Sequence, residues 1–306
     1  MSRQTFEVLV LGSSSASPDT ERGVSGQYLN ICERHFLIDC GEGVQIQLRR
    51  YKARFQSINA IFISHLHGDH IFGLPGFLSS MHLLGRKNPL TIYGPPRLRE
   101  SMLQLLSVSD TQLNYPLEWV ETRNDGMHLL YEDEKTEVWS FPLDHRIFCT
   151  GFLFKEKPLP RKVIKEVLAE LNISVADIMR LKAGEDVINE DGRLIKNAEA
   201  TMDPAAARSY AYCCDTAFRE ETANYVRGVD VLCHESTFLK DHEKRAASTR
   251  HSTAEQAATV AKMAGVGRLV LTHFSARYRY VNDFVREAAA IFPETEAAGD
   301  GKLFKI

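Results

Sequence analysis

An excess of positive charge is missing from this sequence: 37 Lys and Arg stand against 40 Asp and Glu, a formal net charge of −3. No basic field surrounds the whole chain, so a polyanionic ligand would have to meet a local patch. Long apolar runs are missing too. None approaches the ~18 residues that a membrane-crossing helix needs, which sets a membrane span aside. The stretch from Met1 to Glu7 is too polar and too short to read as an export signal. Cysteine is limited to six positions: Cys32, Cys40, Cys149, Cys213, Cys214 and Cys233. They lie in or beside apolar runs, which favours reduced core thiols over disulfides and fits a cytoplasmic location. Cys213 and Cys214 are neighbours on a strand-like run, so at most one of them can face a site beside Asp215. No repeat or low-complexity tract breaks the chain.

A hydrophobic fraction of 44% over 306 residues supports a substantial core. Strand-like runs read at Glu7–Leu11, Gln27–Ile31, His35–Ile38, Ala60–Ile63, Leu90–Tyr93, Glu118–Glu121, Val138–Phe141, Gly151–Lys155, Tyr210–Cys213, Val231–Cys233 and Arg268–Thr272. Helices read at Val44–Arg50, Phe77–Leu84, Arg97–Leu106 and Val281–Ile291. Another follows a capping-box pattern of Ser252 and Glu255 and stops at Gly265. Mixed hairpin-like and crossover-like connections fit an α+β fold of two sheets covered outside by helices. Residues 155–205 differ. Lys155, Lys157, Arg161, Lys162 and Lys165 cluster around Pro158 and Pro160, an amphipathic stretch runs from Val163 to Leu171, and a hairpin over Val187–Leu194 turns at Asp191-Gly192. The basic cluster, interspersed with Glu156, Glu166 and Glu170, reads equally well as a solvated helix face.

The densest chemistry is the run Ile61-Phe-Ile-Ser-His65-Leu-His67-Gly-Asp69-His70. Three imidazoles and a carboxylate follow a buried strand, and these are donors that borderline divalent cations accept. His145, Asp215 and His273 each stand just beyond another strand-like run, where a sheet edge would present them.

His65-x-His67-x-Asp69-His70 resembles the metal signature of the metallo-β-lactamase superfamily. The longer segment Ser64–Gly76 is similar to that of its ribonuclease Z family, as are Leu9–Ser13, Ile38–Gln45, Leu90–Pro95, His234–Thr237, His251–Thr253 and Leu271–Tyr278. The resemblance implies an αββα sandwich over residues 1–306 with an inserted substrate-binding arm at 155–205. It implies a first metal on His65, His67 and His145, a second on Asp69, His70 and His273, and Asp215 as bridge. The metals would be two zinc ions, although manganese tolerates the same donors. Asp39 would orient a ligand histidine. Asp69 would also manage the proton of the attacking water, and Glu235 would orient His251, which protonates the leaving 3′ oxygen. Arg277, in the Ser275-Ala-Arg-Tyr segment, would meet a phosphate, helped by the amides at the start of the helix after His251. The implied activity is zinc-dependent endonucleolytic removal of 3′ trailers from tRNA precursors by a homodimer. Two departures from the family pattern stand out: the arm lacks a Gly-Pro element before Leu181, and the loop after Gly12 lacks the usual basic spacing and Asn. They keep a small-molecule phosphodiesterase or esterase as a second reading. A non-catalytic RNA-binding relative is a third.

Overall fold

The computed structural model describes residues 4–169 and 173–306; Glu170, Leu171 and Asn172, which end the amphipathic stretch and begin the segment before Leu181, lie outside the described residues. Among the described residues the strands form two seven-stranded sheets and two small two-stranded ones. The first runs in the order Leu303–Lys305, Phe6–Gly12, Gly26–Ile31, Arg34–Ile38, Ile58–Phe62, Leu90–Gly94, Leu117–Glu121. The second runs Thr295–Ala297, Arg268–Thr272, Val231–Glu235, Ser209–Cys213, Thr150–Glu156, Thr136–Pro142, His128–Glu132. Each sheet has a parallel part, with helices in the crossovers, and an antiparallel part.

Period-two alternation sets the layers. Val8, Val10, Phe36, Ile38 and Phe62 point into one core, shared with Val138, Phe152, Phe154 and Tyr210 of the second sheet. The intervening Leu9, Leu11, Leu37, Ile61 and Ile63 point the other way, under the helices Val44–Arg50, Leu74–Leu83 and Leu98–Val108. Both faces are therefore buried, which is why these strands read as nearly continuous apolar runs. Phe62 is central: its ring stacks on Tyr93 at 4.8 Å between centroids and meets Phe154 edge-on at 5.3 Å. The helices Ala254–Ala264 and Asn282–Ala289 pack onto the core cluster that the second sheet lines, through Ala257, Val260, Ala261 and Phe284. This is the expected sandwich with helices outside.

Several boundaries differ from the sequence reading. The helix expected from Phe77 begins at Leu74, because Pro75 is compatible with a first turn. The capping box is formed by Thr253 and Gln256, one residue beyond the expected pair. Ser252 instead donates to the Thr216 carbonyl at 2.8 Å, and Glu255 pairs with Lys240. The strands His128–Glu132, Thr295–Ala297 and Leu303–Lys305 were not foreseen; each is short and only partly buried.

Residues Glu156–Ala207 form a separate compact unit. Its small core is Leu181, Val187, Ile195 and Ala200. The expected hairpin is present, Val187–Ile188 pairing with Leu194–Ile195, and Gly192 takes a left-handed φ of 78° at the turn. The helix Val175–Lys182, unforeseen, is capped by Ser174, whose hydroxyl accepts the Asp177 amide. Within the basic cluster Arg161 is tied to Asp203 and Thr201, while Lys162 and Lys165 are exposed.

Replacing Phe62 by Ala is expected to destabilise the fold by about 3–5 kcal/mol, the cost of a large cavity in a packed aromatic core. Chemical denaturation would check this; a loss under about 1 kcal/mol would contradict the inter-sheet packing.

Candidate metal centre

The sheets bring the chemical residues together at strand ends. His65 follows Ile58–Phe62, and Asp69 and His70 sit in the short helix Gly68–Ile71, for which His67 is the N-cap residue. His145 follows Thr136–Pro142, Asp215 follows Ser209–Cys213, and His273 follows Arg268–Thr272. Ile58–Phe62, Ser209–Cys213 and Arg268–Thr272 have parallel neighbours, and parallel strands of an α/β-type sheet gather ligand-binding loops at their carboxyl ends.

Two sets of donor atoms result. In the first, His65 Nε2 lies 3.0 Å from His67 Nδ1, and His145 Nε2 lies 3.2 Å from the same atom. Asp215 Oδ2 is 3.5 Å from His65 Nε2 and 3.8 Å from His145 Nε2. In the second, Asp69 Oδ2 is 3.6 Å from His70 Nε2 and 3.4 Å from His273 Nε2. Asp215 Oδ1 is 3.5 Å from His70 Nε2 and 3.2 Å from His273 Nε2. Donors held ~2.0–2.1 Å from a tetrahedral zinc are about 3.3 Å from each other, which is the spacing of both sets. Asp215 offers one oxygen to each. Its Oδ1, fully buried, has no hydrogen-bond partner among the described residues. The residues therefore fit a pair of divalent cations.

The electrostatics point the same way. Burial disfavours charge on Asp215 and Asp69, yet the neighbouring imidazoles outweigh it and hold both carboxyls well below the usual range. Burial and the His65 and His145 rings push His67 down to about 4, leaving it a neutral donor. At His70, burial opposes the proton, but Asp215, Asp39 and Asp69 raise its pKa well above the ordinary value.

Most of the histidine rings are fixed from behind. Asp39 Oδ2 lies 2.7 Å from His70 Nδ1, and the same carboxylate accepts the Ser64 amide and hydroxyl and the Tyr212 hydroxyl. His145 Nδ1 lies 2.8 Å from the Arg250 carbonyl, and His65 Nδ1 lies 3.0 Å from the Ser64 hydroxyl. Thr237, the last residue of the His234–Thr237 segment, has a role that the sequence does not announce. Its hydroxyl donates to Glu235 at 2.7 Å and lies 2.9 Å from His273 Nδ1. Asp39, Arg250 and His273 all have left-handed φ, between 53° and 62°, so local strain accompanies the positioning.

Glu235 Oε1 lies 2.8 Å from His251 Nδ1. Burial alone would lower the His251 pKa; the Glu235 carboxylate reverses that and raises it to about 9. His251, Asp69, Asp215 and His273 face a cavity of about 460 Å³ that is also lined by the loop Ser15–Pro18, Phe72 and Arg146. Ala16 donates its amide to Asp69 Oδ2 at 2.8 Å. His234 is buried outside this lining, its Nδ1 2.7 Å from the Glu235 carbonyl.

Other expectations fall elsewhere. Arg277 is exposed and does not line the cavity; only its amide reaches Ser275 Oγ, at 3.4 Å, and Ser275 is buried. The amides at the start of the helix after His251 are not open to an anion. Ala254 donates to the Phe238 carbonyl, Glu255 to Glu287, and Gln256 and Thr253 cap each other. All six cysteines are buried thiols. Of the neighbouring pair, Cys214 lies near His65 and Cys149, and burial pushes its thiol so far up that it stays protonated.

Comparison with known proteins extends this geometry. Residues 6–133 match the model described as anti-Pycsar protein Apyc1, and residues 189–274 match a beta-lactamase superfamily domain. The chain is 47% identical to the ribonuclease Z of Cytophaga hutchinsonii over 98% of this chain and 96% of that one. It is 43% identical to the ribonuclease Z of Bacteroides thetaiotaomicron over 99% of this chain and 96% of that one. The structure of the short form of human tRNase Z superposes with a TM-score of 0.69 at 27% identity, covering 97% of this chain and 98% of the other. A metallo-beta-lactamase fold protein of Bacillus subtilis, YhfI, shares the fold at a TM-score of 0.71 and 19% identity, over 99% and 100% of the two chains. With this level of identity over nearly its whole length, the chain belongs to the ribonuclease Z family of the metallo-β-lactamase fold.

Proposed function

We propose that this chain is a metal-dependent endoribonuclease that removes the 3′ trailer from tRNA precursors, leaving a 3′ hydroxyl on the tRNA and a 5′ phosphate on the trailer. The observation that carries the reading is the pair of donor sets sharing Asp215, beside a Glu235–His251 couple in one cavity, in a chain of this family.

His65, His67, His145 and Asp215 Oδ2 would hold one cation, and Asp69, His70, His273 and Asp215 Oδ1 the other. Nitrogen and oxygen donors in this mixture suit zinc, and manganese tolerates them. When bound, the two cations supply Lewis acidity, bringing the pKa of a water toward neutrality and offsetting charge on the phosphodiester. The chain supplies position and protons. Asp39, Ser64, Thr237 and the Arg250 carbonyl fix the imidazole rings, so little reorganisation accompanies the reaction. Asp69 faces the cavity and takes the proton of the attacking water. His251, kept protonated by Glu235, donates its proton to the departing 3′ oxygen. Arg277 and Ser275 stand outside the cavity lining, so a phosphate contact by Arg277 would fall on flanking RNA.

The unit Glu156–Ala207 is proposed as the substrate-binding arm. Its exposed Lys162 and Lys165 offer cations to RNA despite the negative net charge. A homodimer, in which the arm of one copy serves the cavity of the other, completes the proposal and rests on the family resemblance. So does a cytoplasmic location. Among the described residues no helix is long and apolar enough to cross a membrane.

Incubation with an unprocessed tRNA precursor should give metal-dependent cleavage at the 3′ end; no cleavage, or strong preference for bis-(p-nitrophenyl) phosphate, would overturn the assignment. His251→Ala should lower kcat by ~10²–10⁴-fold with RNA binding kept. Glu235→Gln removes the charge that favours the His251 imidazolium. The alkaline limb of the pH–rate profile should therefore move to lower pH, and an unmoved limb would detach Glu235 from His251.

A further inference from the structure

The cavity beside the candidate metal centre carries two side chains that the chemistry above leaves unused. Among the described residues that line it, Phe72 is the one carbocyclic aromatic and Arg146 the one permanent cation. Phe72 is 68% exposed, the larger part of a phenyl ring left to solvent at the mouth of a polar site. It is nonetheless held in place. Its ring lies over Gly68, inside the His67-Gly-Asp69 turn, so closely that a Cβ at Gly68 would fall 2.2 Å from Phe72 Cε2. One edge of the ring is thus anchored on the turn that carries the metal donors.

Arg146 follows His145 directly, and the His145 ring is fixed by the Arg250 carbonyl. The neighbouring cations are committed elsewhere: Arg219 and Arg250 are both tied to Asp144, and Arg22 to Asp19. Arg146 is exposed and makes no hydrogen bond or ion pair among the described residues. The cavity otherwise presents the carboxylates of Glu42, Asp69 and Asp215, which would repel a polyanion. A single unpaired guanidinium there meets the need of a phosphate. An aromatic face beside a free cation is also the pattern by which proteins hold single-stranded nucleic acid.

We propose that Phe72 and Arg146 form a nucleotide-holding pair at the cleavage site: the Phe72 ring stacks on a base adjoining the scissile phosphodiester, and Arg146 binds a backbone phosphate of the same strand. Both act as positioning residues. The inference rests on the reading of this cavity as the site of tRNA-precursor cleavage.

The test is steady-state cleavage of a tRNA precursor by the full-length, metal-loaded protein. Loss of one stacked base at about 1–3 kcal/mol corresponds to a fall in kcat/KM of roughly 5- to 150-fold for Phe72→Ala. Phe72→Leu should fall as far, because it keeps apolar bulk and loses the π face, while Phe72→Trp should retain wild-type activity. A precursor made abasic at the nucleotide on one side of the cleaved bond should bring wild type and Phe72→Ala to the same rate. Arg146→Ala should lower the slope of log KM against log salt by about 0.7, one phosphate contact on a single strand, and Arg146→Lys should keep the slope. Phe72→Leu at wild-type activity, a Phe72→Ala defect that persists on both abasic precursors, or an unchanged salt slope in Arg146→Ala would overturn the pair. A wild-type protein that fails to cleave the precursor removes the underlying reading instead. Wild-type cleavage matched by Phe72→Ala and Arg146→Ala removes this inference alone.

Discussion

Everything at the strand ends depends on one buried carboxylate. Asp215 stands between five imidazoles and Asp69, with one oxygen turned to each donor set and Oδ1 lacking any hydrogen bond among the described residues. A carboxylate so placed needs positive charge on both sides, because an uncompensated buried charge is very costly. Protons on His70 and His65 can supply part of that charge: the His65 pKa is raised to about 9 by Cys149 and Asp215 against burial and His70. Cations can supply all of it while leaving the imidazoles as neutral donors. The donor spacings, the left-handed backbone at Asp39, Arg250 and His273, and the contacts behind the rings are all compatible with that arrangement.

The sandwich explains how residues two hundred positions apart reach one point. Neither sheet alone holds the set. His65, His67, Asp69 and His70 follow the interior strand Ile58–Phe62 of the first sheet, while His145, Asp215 and His273 follow strands of the second. Burial of Phe62 against Phe152 and Phe154 fixes the two sheets a few residues before these donors begin. Packing and chemistry are thus coupled through the strand Ile58–Phe62.

Much of this was legible in the sequence, and for physical reasons. Strands buried on both faces leave apolar runs that end abruptly, and a His or Asp just after such an end is visible without a structure. Asp215 and His273 stand out in this way, each beyond a strand that is buried nearly throughout, while His145 follows the half-buried Thr136–Pro142. Edge strands such as Leu303–Lys305 were not, because a half-exposed strand of three residues leaves no apolar pattern. The capping box was misplaced by one residue because Ser252-Thr253 and Glu255-Gln256 offer two equivalent registers. The amides of that helix looked open to an anion, but Glu287, thirty-two residues away, closes one of them. The Arg250 carbonyl could not be read at all, since a backbone group has no residue type. Thr237 was readable as a motif residue, but its contacts with Glu235 and His273 exist only once Val231–Glu235 and Arg268–Thr272 lie side by side.

The most direct measurement is the metal content of the purified chain and of its Asp215→Asn variant, by elemental analysis. Shared coordination predicts two equivalents of divalent metal per wild-type chain and loss of both in the variant. A wild-type chain that cleaves RNA with no metal, or a variant that retains two equivalents, would contradict the account.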